Sequence, residues 1–241
     1  MIRFLHLSDL HIHTSAKNNA ELVKRLSFIR EKYPYHDRII TGDVTDDGEQ
    51  RQYLNALRLL ASGNDHICPG NHDYGFAGNL YEKKRAKRFD EYLPQSRKYM
   101  GLLAMPVVDV VSKGDTRVVL VGLDSNLKTH SPLDFACGKI GMVQRYLLKK
   151  ILNQARRKWP GCVRVAYFHH HPFDYGPWTG MKDAKKLIKV LKNCELVLFG
   201  HKHKAHQWYD MAAAGKLSEC DHVTEIVVEG SRVTMRQVPV V

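Results

Sequence analysis

Histidine and aspartate residues recur in short clusters along this chain, with the types and spacing of metal ligands. The chain contains 14 histidines. Asp9 and His11 lie two residues apart, as do His201 and His203, so in an extended backbone the members of each pair point to one side. Carboxylate oxygens and imidazole nitrogens, with no thiolate among them, suit zinc, manganese or iron better than magnesium or calcium. The pattern therefore predicts a site for one of these three metals.

The clusters follow five segments that are predicted to be strands. They read Ser8-Asp9-Leu10-His11, Gly42-Asp43, Gly70-Asn71-His72-Asp73, His169-His170-His171-Pro172 and Gly200-His201-Lys202-His203. Ligands of α/β folds bind outside the carboxyl ends of strands, so we expect all the clusters to meet at one edge. Together they offer more donors than one tetrahedral ion uses. Two ions about 3.5–4 Å apart would use them all, and two-metal sites of this kind serve phosphoryl transfer.

The segments that must position these clusters alternate between strand and helix patterns. Strands are predicted at 2–7, 38–41, 66–68, 117–123, 163–168, 196–199, 223–228 and 232–239, and helices at 19–33, 48–61, 79–93, 141–158 and 181–193. Continuous apolar strands are typical of a sheet that is covered on both faces. The alternation predicts an α/β layered fold with sheets packed between helices.

Length and composition fit one domain over residues 1–241. Hydrophobic residues make up 44% of the 241 and charged residues 26%, which is ordinary for a globular protein whose core needs no disulfides. The five cysteines are scattered without a C-x-x-C pair, so we expect reduced thiols and a cytoplasmic location. No signal peptide and no membrane-spanning run is expected.

The charge balance favours anionic partners. The chain has 37 Lys and Arg against 25 Asp and Glu, a net charge of +12 with histidine neutral, which suits nucleotides, nucleic acid or phospholipid headgroups. The predicted helix at 79–93 carries Lys83, Lys84, Arg85, Lys87 and Arg88. Such a run is usually a solvated face, and the alternative is a surface that binds nucleic acid or anionic lipid.

Other residues beside the clusters also have two interpretations. Lys202 either meets a substrate phosphate or points away on the surface. The aromatic residues Phe173, Tyr175 and Trp178 follow the histidine run, and they either stack on a ring of the substrate or pack in the core.

The five clusters, in this order, resemble the motifs of the calcineurin-like metallophosphoesterase superfamily. That family shows D-x-H, G-D, G-N-H-D, a His followed by Gly or His, and G-H-x-H, and the matching segments span residues 6–203. The resemblance implies an α-β-β-α sandwich of two mixed sheets flanked by helices. It also implies a metal-dependent phosphoric ester hydrolase with two divalent or trivalent ions (manganese, iron or zinc).

The resemblance also implies a role for each matching residue. One ion would be held by Asp9, His11, Asp43 and His203, and the other by Asp43, Asn71, His170 and His201. A hydroxide or water between the ions would attack phosphorus. His72 would contact the phosphate and protonate the leaving oxygen, and Asp73 would orient its imidazole. In the fourth cluster, counting back from Pro172 selects His170 as the ligand, with His169 as the alternative.

The residues after Asp43 bear on the substrate. Protein Ser/Thr phosphatases of the superfamily extend this motif as G-D-x-x-D-R-G, whereas here Asp47 stands at the arginine position. The spacing of the motifs and the segment Leu123-Asp124-Ser125 look more like the small bacterial cyclic-nucleotide phosphodiesterase branch. We therefore expect a phosphodiesterase acting on nucleotides or related small phosphoesters. The alternatives are a nuclease or phospholipid-headgroup phosphoesterase docked by its basic surface, and a non-catalytic anion-binding subunit with this fold.

Overall fold

The computed structural model describes residues 1–61, 64–76, 80–93, 106–127, 137–173, 175–176 and 180–241. The strands are β1 Ile2–Leu7, β2 Asp37–Thr41, β3 Asp65–Cys68, β4 Gly75–Phe76, β5 Leu80–Tyr81, β6 Val107–Lys113, β7 Thr116–Gly122, β8 Val163–Tyr167, β9 Leu196–Phe199, β10 His206–Gln207, β11 Met211–Ala213, β12 His222–Glu229 and β13 Arg232–Pro239. The helices are α1 Ala20–Lys32, α2 Gln50–Leu60, the single turn α3 Asn71–Tyr74, α4 Lys83–Tyr92, α5 Gly141–Lys158 and α6 Ala184–Leu191.

The longer strands form two mixed sheets. One has the order β13-β12-β1-β2-β3, in which β1, β2 and β3 are parallel, β12 is antiparallel to β1, and β13 is antiparallel to β12. The other has the order β10-β11-β9-β8-β7-β6, in which β7, β8, β9 and β11 are parallel. The expectation of two mixed sheets is confirmed.

Alternating side chains of each strand divide the core into layers. Val118 and Leu120 of β7 pack between the two sheets, in a cluster that includes Phe4 of β1. Val119 and Val121 of the same strand pack instead with apolar residues of α5 and α6. Apolar residues of α1, α2 and α4 cover the outer face of the first sheet. The layers therefore run α-β-β-α, as expected, and each buried aliphatic side chain contributes roughly 1.5–3 kcal/mol.

Several elements differ from the sequence prediction, which did not include the short strands β4, β5, β10 and β11. The predicted helix at 79–93 begins only at Lys83, because Leu80 and Tyr81 pair with Gly75 and Phe76 in a short hairpin; residue 79 lies outside the described residues. Strand β6 was not predicted, since this edge strand lacks a regular apolar alternation. Among the described helices, none combines the length and apolar content that a membrane crossing requires.

Candidate metal centre

The loops that follow β1, β2, β8 and β9 are joined by backbone hydrogen bonds. The Asp9 amide donates to the Gly42 carbonyl at 3.1 Å, and the His11 amide to the Asp43 carbonyl at 2.9 Å. Within the second sheet, the Gly200 amide donates to the His169 carbonyl at 2.9 Å. Between the two sheets, the His201 amide donates to Asp9 Oδ2 at 3.1 Å. The carboxyl ends of the parallel strands therefore meet at one edge of the sandwich, as the sequence predicts.

The backbone of this edge has an unusual conformation. Positive φ occurs at Asp9 (52°), His11 (45°), Asp43 (49°), His201 (77°) and His203 (55°), and within the described residues no other non-glycine residue has it. Such a conformation costs of order 1–3 kcal/mol per residue and persists where the surrounding structure holds it in place. All five are predicted metal ligands, so strain is concentrated where the donor groups have to be aimed.

One donor set consists of Asp9, His11, Asp43 and His203, whose ligand atoms all lie within 4.8 Å of one another. His11 Nε2 is 3.1 Å from His203 Nε2 and 3.7 Å from Asp43 Oδ2, and His203 Nε2 is 3.4 Å from Asp9 Oδ1. Asp9 Oδ1 is buried and accepts no hydrogen bond from the described residues. Two ring nitrogens at close distance and a buried carboxylate oxygen without a hydrogen-bond donor fit a cation.

A second donor set lies next to the first and shares Asp43 with it. His201 Nδ1 is 3.1 Å from Asn71 Oδ1 and 3.2 Å from His169 Nε2. His169 Nε2 is in turn 3.2 Å from Asp43 Oδ2. Amide, imidazole and carboxylate donors thus converge here in the combination expected of a second transition-metal site.

The rings of His169 and His170 both lie against the His201 ring, but their hydrogen-bond partners differ. Val165 and Tyr167 of β8 face the space between the sheets, while Phe168 faces the helices, so the alternation carries His169 toward the first sheet. There its Nδ1 lies 2.7 Å from the Thr41 carbonyl. The Nδ1 of His170 instead lies 2.8 Å from the Ser125 hydroxyl, and its Nε2 is buried without a hydrogen bond to the described residues.

The charges of the metal-free centre favour ligand-ready carboxylates. Burial raises the pKa of Asp43, but the neighbouring His169 and His11 outweigh it and hold the pKa well below its ordinary value. The pKa of Asp9 is also lowered, since contacts with His203 and His169 overcome its burial. Burial and the charge of His169 lower the pKa of His201 to about 3. Metal binding needs ionised carboxylates and neutral imidazoles, and Asp43, Asp9 and His201 are held in those states. Burial lowers the pKa of His169, but Asp43 and Asp9 outweigh it and raise that pKa to about 9, so metal binding at His169 releases a proton.

Asp73 lies elsewhere than the sequence resemblance implied. Its carboxylate accepts hydrogen bonds from the amides of Val44 (3.2 Å), Thr45 (2.9 Å) and Gly70 (2.9 Å), and from the Thr45 hydroxyl (2.8 Å). The Nδ1 of His72 lies instead 2.7 Å from the Asp46 carbonyl. Asp73 therefore joins the loop after β2 to the loop after β3, and the contact that orients His72 comes from Asp46.

Asp46 is a site residue that sequence reasoning missed. Its Oδ1 lies 3.2 Å from His11 Nδ1 and its Oδ2 lies 3.1 Å from His13 Nδ1. A carboxylate on the far ring nitrogen of a metal-binding histidine fixes its tautomer and orientation. The signal was present, because Asp46 follows Asp43 by three residues within the G-D-x-x-D segment.

Two glycines are required by close approaches of these loops. A Cβ at Gly70 would lie 2.1 Å from Asp43 Oδ1. A Cβ at Gly42, where φ is +87°, would lie 2.6 Å from His169 Nδ1. Only glycine leaves room for these neighbours.

The basic helix α4 uses part of its charge to support the centre. Arg85 donates to the Asp47 carbonyl and pairs with Glu49 at 3.0 Å, and Arg88 donates to the Gly48 carbonyl at 3.0 Å. The three lysines of the helix are exposed. Binding of nucleic acid or anionic lipid by this surface stays a prediction, with two of its five basic side chains already committed to the loop after Asp43.

Comparisons with known proteins agree with this geometry. A family model described as calcineurin-like phosphoesterase matches residues 2–205. A probable glycerophosphodiester phosphodiesterase of Arcobacter nitrofigilis is 28% identical over 183 residues, covering 71% of this chain and 58% of that protein. A probable cyclic nucleotide phosphodiesterase of Coxiella burnetii is 23% identical over 216 residues, covering 84% of this chain and 76% of that protein. A dimetal phosphatase from Danio rerio has a similar fold, with a TM-score of 0.62 at 15% identity over 100% of this chain and 96% of that one.

Proposed function

The chain belongs to the calcineurin-like phosphoesterase family, and we propose that it is a dinuclear-metal phosphodiesterase acting on nucleotides or related small phosphoesters. The observation that carries the proposal is the sharing of Asp43 by two adjacent donor sets. The names of the two relatives from Arcobacter and Coxiella both describe phosphodiesterases, which supports a diester. Asp47 in place of the arginine of protein phosphatases supports the same choice.

The two donor sets divide the metal ligands between two ions. The first ion would be held by Asp9, His11, Asp43 and His203, and the second by Asp43, Asn71, His169 and His201. We favour His169 over the His170 of the motif count, because its Nε2 faces both Asp43 and His201. When bound, such ions lower the pKa of water toward neutrality and offset charge on the phosphoryl oxygens.

The remaining polar residues hold and move protons. The Asp46 carbonyl accepts a hydrogen bond from His72 Nδ1, so the second proton of a His72 imidazolium stands on Nε2. From there it is available to the leaving oxygen of the ester. Asp46 also orients His11 through its carboxylate. Asp73 keeps the loop that carries Asp43 in register with the loop that carries His72.

The test is hydrolysis of bis-p-nitrophenyl phosphate by the purified chain with added Mn²⁺. We expect metal-dependent turnover in the wild type, a loss of at least a hundredfold in Asp43→Ala, and about two bound ions per chain by elemental analysis. Slower hydrolysis of p-nitrophenyl phosphate would support the diester preference. Two bound ions without any turnover would contradict the enzyme and favour the non-catalytic anion-binding subunit.

The ligand choice has its own matched pair of variants. His169→Ala should lower the metal content to about one ion per chain, whereas His170→Ala should keep two. This readout needs no activity. The reverse result would return the ligand role to His170, and equal losses would show that both imidazoles support the second ion.

A further inference from the structure

The loops after β8 and β9, which carry His169 and His201, also contact each other through two residues that are not proposed metal ligands. The Lys202 ammonium lies over the Tyr175 ring, 3.2 Å from its centroid. Lys202 stands between His201 and His203 in the chain, so its Cα is about 3.8 Å from that of each proposed ligand. The contact therefore joins the loop after β8 to the residue that stands between two proposed ligands.

The Tyr175 ring is held at two points and open elsewhere. Its hydroxyl lies 3.3 Å from His171 Nδ1, and the buried His171 ring packs against Phe199 at 4.7 Å. The Tyr175 residue is nevertheless 44% exposed. With the ammonium on one face and the hydroxyl anchored, the exposed part of the ring is a preformed apolar surface.

Neighbouring aromatic residues do not share this exposure. The ring centroids of Phe173 and Trp208 lie 5.5 Å apart, and both residues pack against the core between the second sheet and its helices. The expectation that Phe173 contacts substrate gives way to its core interpretation, and Trp178 lies outside the described residues. Tyr175 is the aromatic residue of this loop, within its described part, that is exposed beside the centre.

The charge of Lys202 is also available. Within the described part of the chain, no carboxylate forms an ion pair with it. The ammonium lies on the face of the ring, and its N–H groups can still donate hydrogen bonds to an anionic oxygen.

We propose that Tyr175 and Lys202 form a subsite for the nucleoside part of the substrate, with the base stacked on the Tyr175 ring and the ammonium beside the phosphodiester anion. The proposal rests on the proposed phosphodiesterase function and deepens it. It names a nucleoside ester, rather than a glycerol ester, as the substrate class. Stacking of a base on an aromatic side chain is worth about 1–3 kcal/mol, which corresponds to roughly 5- to 150-fold in kcat/KM.

The test compares thymidine 5′-p-nitrophenyl phosphate with methyl p-nitrophenyl phosphate. Both are monoanionic diesters with the same leaving group, so their ratio of kcat/KM isolates the nucleoside. We expect the wild type to prefer the thymidine ester by at least fivefold, Tyr175→Leu to bring the ratio close to one, and Tyr175→Phe to keep it. Lys202→Met should lower kcat/KM for both esters. Tyr146→Leu, which removes an exposed tyrosine of α5, is the matched control.

Two further measurements separate the outcomes. Metal content should be unchanged in every variant, and calorimetry should show that thymidine 5′-monophosphate binds the Mn²⁺-loaded protein more tightly than methyl phosphate does. An equal preference in wild type and Tyr175→Leu, in either assay, overturns the subsite. A retained preference in binding with no turnover of either ester supports the subsite and overturns the phosphodiesterase function.

Discussion

Replacing Asp73 by asparagine distinguishes two roles for this residue. If Asp73 orients His72, the change lowers turnover and leaves the fold intact. If it joins the two metal-binding loops, as its four hydrogen bonds show, the change lowers the free energy of unfolding. Asparagine has nearly the same shape, so the comparison is not confused by a cavity.

The expected loss can be worked out from the donors. Oδ2 of Asp73 accepts from the amides of Val44 and Gly70, and Oδ1 from the amide and hydroxyl of Thr45. In its better orientation the asparagine keeps its oxygen beside the amides of Val44 and Gly70 and turns its NH₂ toward Thr45. The Thr45 hydroxyl can rotate to accept, but the Thr45 amide loses its acceptor, at about 1–3 kcal/mol for a buried donor. The remaining bonds lose their charge, at about 1 kcal/mol each. Burial and the charge of Asp43 raise the pKa of Asp73 to about 6, so asparagine also removes the cost of a buried charge, and we expect a net loss of roughly 1–3 kcal/mol.

The assay is urea unfolding of the metal-free protein, followed by circular dichroism. Asp115→Asn is the control, because Asp115 lies on the exposed turn between β6 and β7. If the free energy of unfolding of Asp73→Asn falls by less than 1 kcal/mol while kcat falls strongly, Asp73 does not join the two loops and instead orients His72. A loss of the expected size should also weaken metal binding, since both loops supply ligands.

Three further outcomes are expected. Burial lowers the pKa of His66, but Asp109, whose Oδ2 is 2.9 Å from His66 Nδ1, and Asp37 outweigh it and raise that pKa to about 9. Protonated His66 therefore stabilises the fold by roughly 3 kcal/mol below pH 6.5, and this contribution is lost as the pH rises through 9. The urea midpoint of His66→Gln should lack this dependence on pH. Gly70→Ala should abolish tight metal binding, measured by elemental analysis after dialysis, because the new Cβ would overlap Asp43. Dialysis against EDTA should lower the melting temperature, and added Mn²⁺ should restore it in proportion to the logarithm of its concentration.

The sequence by itself determined the identity of the donors and the elements that carry them. Strands β1, β9 and β13 and helix α5 have the bounds that the residue pattern predicts, because apolar runs and helical spacing are local properties of the chain. The ligand clusters follow those strands directly, and parallel strands bring their carboxyl ends together. Most of the proposed ligands could therefore be predicted from the sequence alone.

The tertiary structure alone decided which of several neighbouring polar residues contacts which partner. The direction of His169 depends on which face of β8 turns toward the first sheet, and consecutive side chains of a strand point to opposite faces. Asp46 rather than Asp73 contacts His72, because Asp73 accepts hydrogen bonds from the amides of Val44 and Thr45 in a loop about thirty residues earlier. The contact between Tyr175 and Lys202 joins two loops of different strands. Such pairings depend on distances across the fold, which residue spacing along the chain does not encode.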